Sequence, residues 1–191
     1  MLDSKNDLLD RVALQSQLSV EICKMKTEMD DAKVIQVYIE TTFVSYLTAR
    51  PSRDVVIAGH QQSTHEWWDT CRADYELCAS ELVFREAEGG DPDAARERLD
   101  VLKAMILLQT RPEALALAEE LVQAGALPAK AADDALHIAI AADQKIAYLL
   151  TWNLRHMANA TMRSLIETVC AGKGYKAPII CTPEELRKVK P

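Results

Sequence analysis

Aromatic side chains are scarce in this chain: two Phe, three Trp and five Tyr among 191 residues. A core built on rings is thereby excluded, and the 49% of hydrophobic residues must fill the interior with mostly aliphatic side chains. No apolar run approaches the roughly 20 residues that a membrane-crossing helix needs. The start is polar and mixed in charge, without a basic stretch leading into an apolar one. No secretory signal is visible, and a cytoplasmic protein is the simple reading. The five cysteines (Cys23, Cys71, Cys78, Cys170 and Cys181) form no C-x-x-C pair, so zinc-site spacing is absent. Their odd number argues against a disulfide framework, and they read as small apolar residues. Neither a Ser-His-Asp arrangement nor a glycine-rich phosphate loop can be assembled. Positive charge is also short: 22 Lys and Arg stand against 29 Asp and Glu, a net charge of −7. Broad nonspecific nucleic-acid binding is disfavoured by that balance. An enzyme acting on nucleic acid is not, because carboxylates can recruit a phosphodiester through bound cations.

What is present fits one domain with an appendage. Residues 1–32 are polar and helix-prone, with apolar positions at Leu8, Leu9, Val12, Leu18 and Ile22. They read as an amphipathic helical or partly disordered extension, and Met25 and Met29 could serve as alternative starts. An amphipathic helix cannot bury its apolar side alone, so it should pack on the domain or on a second copy. From 33 to 191 the pattern is that of an α/β domain. A β-branched, apolar run over 34–39 suits a strand buried on both faces. Helices are expected over 43–48, 54–72, 81–88, 94–104, 112–124, 129–143 and 160–171. Further strands are expected over 75–79, 105–108, 146–151 and 178–181. Ser80 should cap the helix that follows it, and residues 182–185 carry a complete capping box. Strands alternating with helices imply a mostly parallel sheet in three α/β/α layers.

Four polar residues stand out by position. Glu40 directly follows the first buried strand, and Asn153 follows the 146–151 strand. In open α/β sheets, ligands bind beyond the carboxyl ends of strands. Each residue is read two ways, as a simple strand terminator or as part of a site. Glu86 shares a helix face with Leu82 and Val83, where an unpaired carboxylate would be costly. It needs Arg85, Lys103 or a cation as partner. Asp134 lies in a helix that is apolar nearly all round; Asp133 could cap that helix, or one of the two could be a solvated charge favoured by the helix dipole. Two acids on apolar faces and two polar groups at strand ends suggest one acidic pocket, and hard divalent cations prefer such oxygen ligands.

Four segments then resemble a known family in order and spacing. Val37-Tyr38-Ile39-Glu40-Thr41-Thr42 resembles the opening strand and first acid of PIN domains, and Ala79-Ser80-Glu81-Leu82-Val83-Phe84-Arg85-Glu86 the second-acid segment. Asp134-Ala135-Leu136-His137-Ile138-Ala139 resembles the third-acid helix, and Leu149-Leu150-Thr151-Trp152-Asn153-Leu154-Arg155-His156 the fourth-position strand end. The resemblance runs over 34–186 and is nearest to bacterial PIN proteins of the VapC toxin type. It implies a metal-dependent endoribonuclease, the toxin of a toxin–antitoxin pair, with an RNA substrate, a cognate antitoxin and a homodimeric state. Glu40, Glu86 and Asp134 would hold Mg²⁺ or Mn²⁺, with Asn153 completing the set directly or through water. In-line attack leaving a 5′-phosphate and a 3′-hydroxyl is implied as well.

Two positions depart from the family. Glu40 stands where Asp is usual and is one methylene longer. Asn153 stands where Asp is usual and brings no charge, which weakens a second metal position more than the first. A PIN-fold module with a weakened site, acting through RNA or protein contacts, is therefore the alternative reading. Around these positions, Thr42, Arg85, His137, Arg155 and His156 are candidates for support or substrate contact. His137 could face the pocket or pack in the core; His156 and Asn159 could cap and hydrogen-bond locally. Arg85 and Arg155 are reasonable phosphate contacts or solvated ion pairs. Of Trp67 and Trp68, one ring is expected in the core and the other at a partner surface, with base stacking as the further option.

Overall fold

The computed structural model describes residues 34–187. The extension expected over 1–32, its packing and any part in pairing lie outside the described residues. Strand β1 (Gln36–Ile39) is followed by helices α1 (Thr41–Thr48) and α2 (Val55–Thr70), and β2 (Glu76–Ser80) by α3 (Glu81–Ala87) and α4 (Pro92–Leu102). Strand β3 (Ile106–Leu108) leads to α5 (Pro112–Gln123) and α6 (Ala132–Asp143); β4 (Tyr148–Leu150), α7 (Ala160–Gly172) and β5 (Ile179–Cys181) complete the order. The five strands form one sheet in the order β3-β2-β1-β4-β5, every pairing parallel. Helices flank it, giving the three-layer α/β/α arrangement.

Burial explains why β1 sits at the centre. Val37, Tyr38 and Ile39 are fully buried, as a strand covered on both faces requires. The chain leaves β1 first towards β2 and β3, then returns to the other side for β4 and β5. The order therefore reverses between β1 and β4, and the crevice beyond their carboxyl ends is where such sheets bind ligands.

Several elements begin or end away from the expected residues. The ladder starts at Gln36 rather than at residue 34, because pairing with β2 begins at Gln36–Glu76, and Val34 and Ile35 are exposed. Helix α4 starts at Pro92, two residues early: the Asp91 carboxylate accepts from the N–H groups of Asp93 and Ala94, and proline occupies the first turn. Asp133 does not cap α6, whose first turn is entered through a 3-10 turn at Ala129–Ala131. The capping box at Thr182 is made in both directions, with Thr182 N–H donating to Glu185 and Glu185 N–H to Thr182, yet only a turn follows among the described residues. Trp68 is not a free surface ring. It packs against the core edge with the Arg72 guanidinium 4.6 Å above it, while Trp67 is fully buried and donates from Nε1 to the Leu186 carbonyl. No helix among the described residues is long and apolar enough to cross a membrane.

The described cysteines are all unpaired and buried. Burial pushes the Cys78 and Cys170 thiols up to about 11 and the Cys181 thiol up to about 12. A raised thiol pKa keeps the unreactive protonated form below that pH. Against an ordinary pKa of about 8.5, thiolate at pH 8 falls by roughly a hundredfold or more. Iodoacetamide at pH 8 is therefore expected to label these three at a small fraction of their rate in denaturant, read by peptide mass mapping. Equal rates in the two conditions would show that they are not core residues.

Candidate metal centre at the carboxyl edge of the sheet

Glu40 is the residue at which β1 becomes α1, and it is only 4% exposed. Its Oε2 accepts from the Thr42 backbone N–H at 3.1 Å, the Thr42 hydroxyl at 2.5 Å and the Thr151 hydroxyl at 2.7 Å. These donors and the amino end of α1 make a buried carboxylate tolerable without a Lys or Arg partner among the described residues. Every hydrogen bond from a described residue falls on Oε2, so Oε1 could meet a cation. Burial pushes the Glu40 carboxyl above its ordinary pKa; the His137 charge and the three donors pull the other way without cancelling it.

Thr151 reaches Glu40 because β1 and β4 are in register at Ile39–Leu150, and the Glu40 N–H donates to the Leu150 carbonyl. The same edge is laced further. Thr42 Oγ1 accepts from the Trp152 N–H at 2.9 Å, and Thr151 Oγ1 from the Asn153 N–H at 2.9 Å.

Glu86 takes neither of the cationic partners expected for it. Lys103 pairs with Asp100, and Arg85 reaches across the surface to Asp133 at 3.7 Å. Glu86 Oε2 instead accepts from the Thr41 hydroxyl and lies 3.1 Å from His137 Nε2. His137 is buried, and its Nδ1 lies 2.8 Å from the Tyr38 hydroxyl, which is 2.6 Å from Ser80 Oγ. A single chain of hydrogen bonds thus joins the end of β2, the middle of β1, α6, α3 and the start of α1. Burial alone would push the His137 ring down. The bond to Glu86 and the charges of Glu40, Glu86 and Asp134 outweigh it and hold the ring above its ordinary pKa. Burial likewise raises Glu86, but the His137 bond and charge, Thr41 and Arg85 hold it below the usual carboxylate range. His137 is thus at once a core residue and part of the acidic pocket.

Asp134 and Asn153 are arranged differently. Asp134, one turn before His137 on α6, has its Oδ2 2.7 Å from His156 Nδ1. Asn153 Oδ1 accepts from the His156 N–H at 3.1 Å, so the amide closes the turn that carries His156 to Asp134. Arg155 is exposed, and Asn159 caps α7.

Glu40, Glu86 and His137 each offer one ligand atom within 4.8 Å of the others. Two carboxylates and one imidazole on a shared pocket are a donor set that fits a divalent cation, and such an ion would balance the buried Glu40. Of the residues expected from sequence, this grouping contains Glu40 and Glu86, and it takes His137 as the third donor. No sequence signal decided between pocket and core for His137; its contact with Glu86, 51 residues away, puts it in both.

In sequence the chain matches no family model and no curated protein. In structure it is similar to a VapBC complex of Rickettsia felis bound to a DNA fragment of its promoter, at 14% identity and a TM-score of 0.50, covering 78% of this chain and 98% of that one. It is similar to a sarcin–ricin loop-cleaving VapC toxin of Mycobacterium tuberculosis at 13% identity and a TM-score of 0.51, covering 65% and 95%. A toxin–antitoxin complex of Klebsiella pneumoniae gives 13% and 0.50, covering 77% and 97%. The fold is that of the VapC toxins. At these identities the likeness carries the PIN architecture and not the chemistry, so the side chains themselves must support any activity.

The hydrogen-bond chain behind Glu86 generates a test. Tyr38→Phe removes the hydroxyl that joins Ser80 to His137 and leaves both buried groups short of a partner. A loss of about 1–3 kcal/mol is expected in denaturant unfolding of the chelated protein. An unchanged midpoint would mean that the chain of bonds carries no stability.

Proposed function

We propose that the protein is a divalent-metal-dependent endoribonuclease hydrolysing RNA phosphodiester bonds, the toxin of a toxin–antitoxin pair. The observation that carries this reading is the meeting of Glu40, Glu86 and His137 at the point where the strand order reverses. Support comes also from the fold, since one protein of the same architecture is a sarcin–ricin loop-cleaving toxin and two others are toxin–antitoxin complexes. Mg²⁺ or Mn²⁺ bound there would neutralise charge on the scissile phosphate and make water a stronger nucleophile. Glu40 and Glu86 would hold it, with Asp134 completing the acidic set and His137 as donor or as the group that orients Glu86. Thr42 and Thr151 fix the Glu40 carboxylate, and His156 fixes that of Asp134. Such outer partners typically matter by roughly 10- to 100-fold in affinity or activity. A cognate antitoxin and a second copy of the chain are the protein partners in this reading.

The purified protein is expected to cleave RNA hairpins with Mn²⁺ or Mg²⁺ and to be silent in EDTA. Glu86→Gln should lower the rate by at least about a hundredfold, at or beyond the upper end of an outer-partner effect. Cleavage that survives EDTA or this substitution would overturn the reading.

One observation favours the weakened-module alternative: the Asn153 amide is engaged with the His156 N–H, and the Asp134 carboxylate with His156. A calorimetric Mn²⁺ titration separates the two, since a lapsed site takes up no metal. Asn153→Asp keeps an oxygen that can accept the His156 N–H, so the fold should be unaffected, and it adds the charge the family usually has. Tighter Mn²⁺ binding and faster cleavage are expected; unchanged affinity would put residue 153 outside the cation's reach.

A further inference from the structure

Beside the acidic pocket stand three rings that the reading above does not use. Trp152 lies between Thr151 and Asn153 in the chain and is almost fully buried. Its backbone N–H donates to the Thr42 hydroxyl that also holds Glu40, and its Nε1–H donates to Thr64 Oγ1 at 2.7 Å. The Thr64 hydroxyl in turn donates to the His60 carbonyl at 2.7 Å, one turn back on α2. The indole is therefore fixed at both ends. On it the His60 ring is stacked, with centroids 4.1 Å apart and planes at 19°. Tyr46 completes the group, 5.8 Å from His60 and 6.2 Å from Trp152.

Unlike Trp152, the His60 and Tyr46 side chains are partly exposed. The Tyr46 hydroxyl and both His60 nitrogens hydrogen-bond to no described residue, so their polar rims are open to water or to a ligand. Tyr46 is four residues after Thr42 on α1, hence on the same helix face and about 6 Å further along. Flanking loops carry Arg50 and Arg155, exposed and paired with no described acid. Planar faces with polar rims, on segments that also carry guanidinium groups paired with no described acid, have the chemistry that takes a nucleobase and its phosphate.

We infer that Tyr46 and His60, seated on Trp152, form a stacking shelf for a base of single-stranded RNA next to the scissile phosphate. The inference rests on the ribonuclease reading and deepens it. Stacking suits an acidic protein, because it adds affinity without a basic surface and tolerates any base, each having a π face. It also assigns to Tyr46 and His60 the base-stacking role for which the Trp67–Trp68 pair is unavailable, Trp67 being in the core and Trp68 covered by Arg72.

The test uses the full chain in EDTA and two probes: a short labelled oligouridylate and an abasic ribose-phosphate oligomer of the same length. Wild type should bind the base-bearing oligomer more tightly. Tyr46→Leu and His60→Leu, which keep apolar volume, should each weaken that binding about fivefold to a hundredfold, the worth of one stacked base. Neither should change affinity for the abasic oligomer, and Tyr46→Phe and His60→Phe should restore the preference. In Mn²⁺ cleavage assays the Leu variants should raise KM with kcat little changed. If wild type prefers the base-bearing oligomer and both Leu variants bind it equally well, the shelf is elsewhere and the inference falls alone. If wild type binds both oligomers equally, stacking is not used and the inference again falls alone. Should it bind and cleave no RNA at all, the ribonuclease reading falls with it.

Discussion

A carboxylate buried at the end of the central strand, with no lysine or arginine among the described residues paired to it, is the constraint on which the rest of the structure depends. Taking a charged carboxylate out of water is expensive, and proteins normally pair it, neutralise it or give it a metal. Glu40 has three hydrogen-bond donors, two of them side-chain hydroxyls, and the amino end of a helix. Those donors come from different elements, so the position of β4 relative to β1 is tied to the carboxylate. A one-residue slip would carry Thr151 to the other face of the sheet. The same threonines also receive the backbone N–H groups of Trp152 and Asn153, so the loop after β4 is shaped by the need to satisfy Glu40.

The second carboxylate is handled by different means. Glu86 is half-buried on a short helix, and its partner His137 reaches it from α6. Because Nδ1 of the same ring is engaged by Tyr38, the imidazole cannot swing away without leaving a buried hydroxyl unsatisfied. Helices α3 and α6 are therefore locked to β1 by polar as well as apolar contact. The pocket has an acid fixed by hydroxyls on one side and an acid fixed by an imidazole on the other. Holding two like charges this close without strain would be helped by a cation between them.

Local signals carried most of the fold. Val37-Tyr38-Ile39 and Leu149-Leu150 announce buried strands because nothing else explains such runs, and Ser80 caps α3 as its position implies. What was not legible depends on residues far apart in the chain. No pattern near Glu86 says that its partner is His137 rather than Arg85, since the choice is made by where the fold brings His137, 51 residues away. The start of α4 at Pro92 was hidden because Gly89-Gly90-Asp91-Pro92 reads as a break, although Asp-Pro is also how helices begin. At Thr182 the local signal was right and its consequence was not: the reciprocal bonds form, but a capping box satisfies two N–H groups without supplying the packing a helix needs. Trp152 is a different case. Nothing near it in the sequence singles it out, and only Thr64, 88 residues earlier, and His60, one turn before that, reveal what holds it.

The overall charge of −7 says little about the pocket, because net charge is a poor guide at short range. Exposed charges further apart than the roughly 8–10 Å screening length of physiological salt hardly act on one another. What matters is which cations near the pocket are already neutralised. Arg85, Arg96, Lys103 and Lys173 each sit on a neighbouring acid, as do Arg111 and Arg187. The guanidinium groups of Arg50, Arg53 and Arg155 do not pair with any described acid. Arg50 and Arg53 follow the far end of α1, whose first residue adjoins Glu40, and Arg155 follows β4. Which cations are neutralised therefore differs from one part of the described surface to another, and a chain-wide count cannot show it.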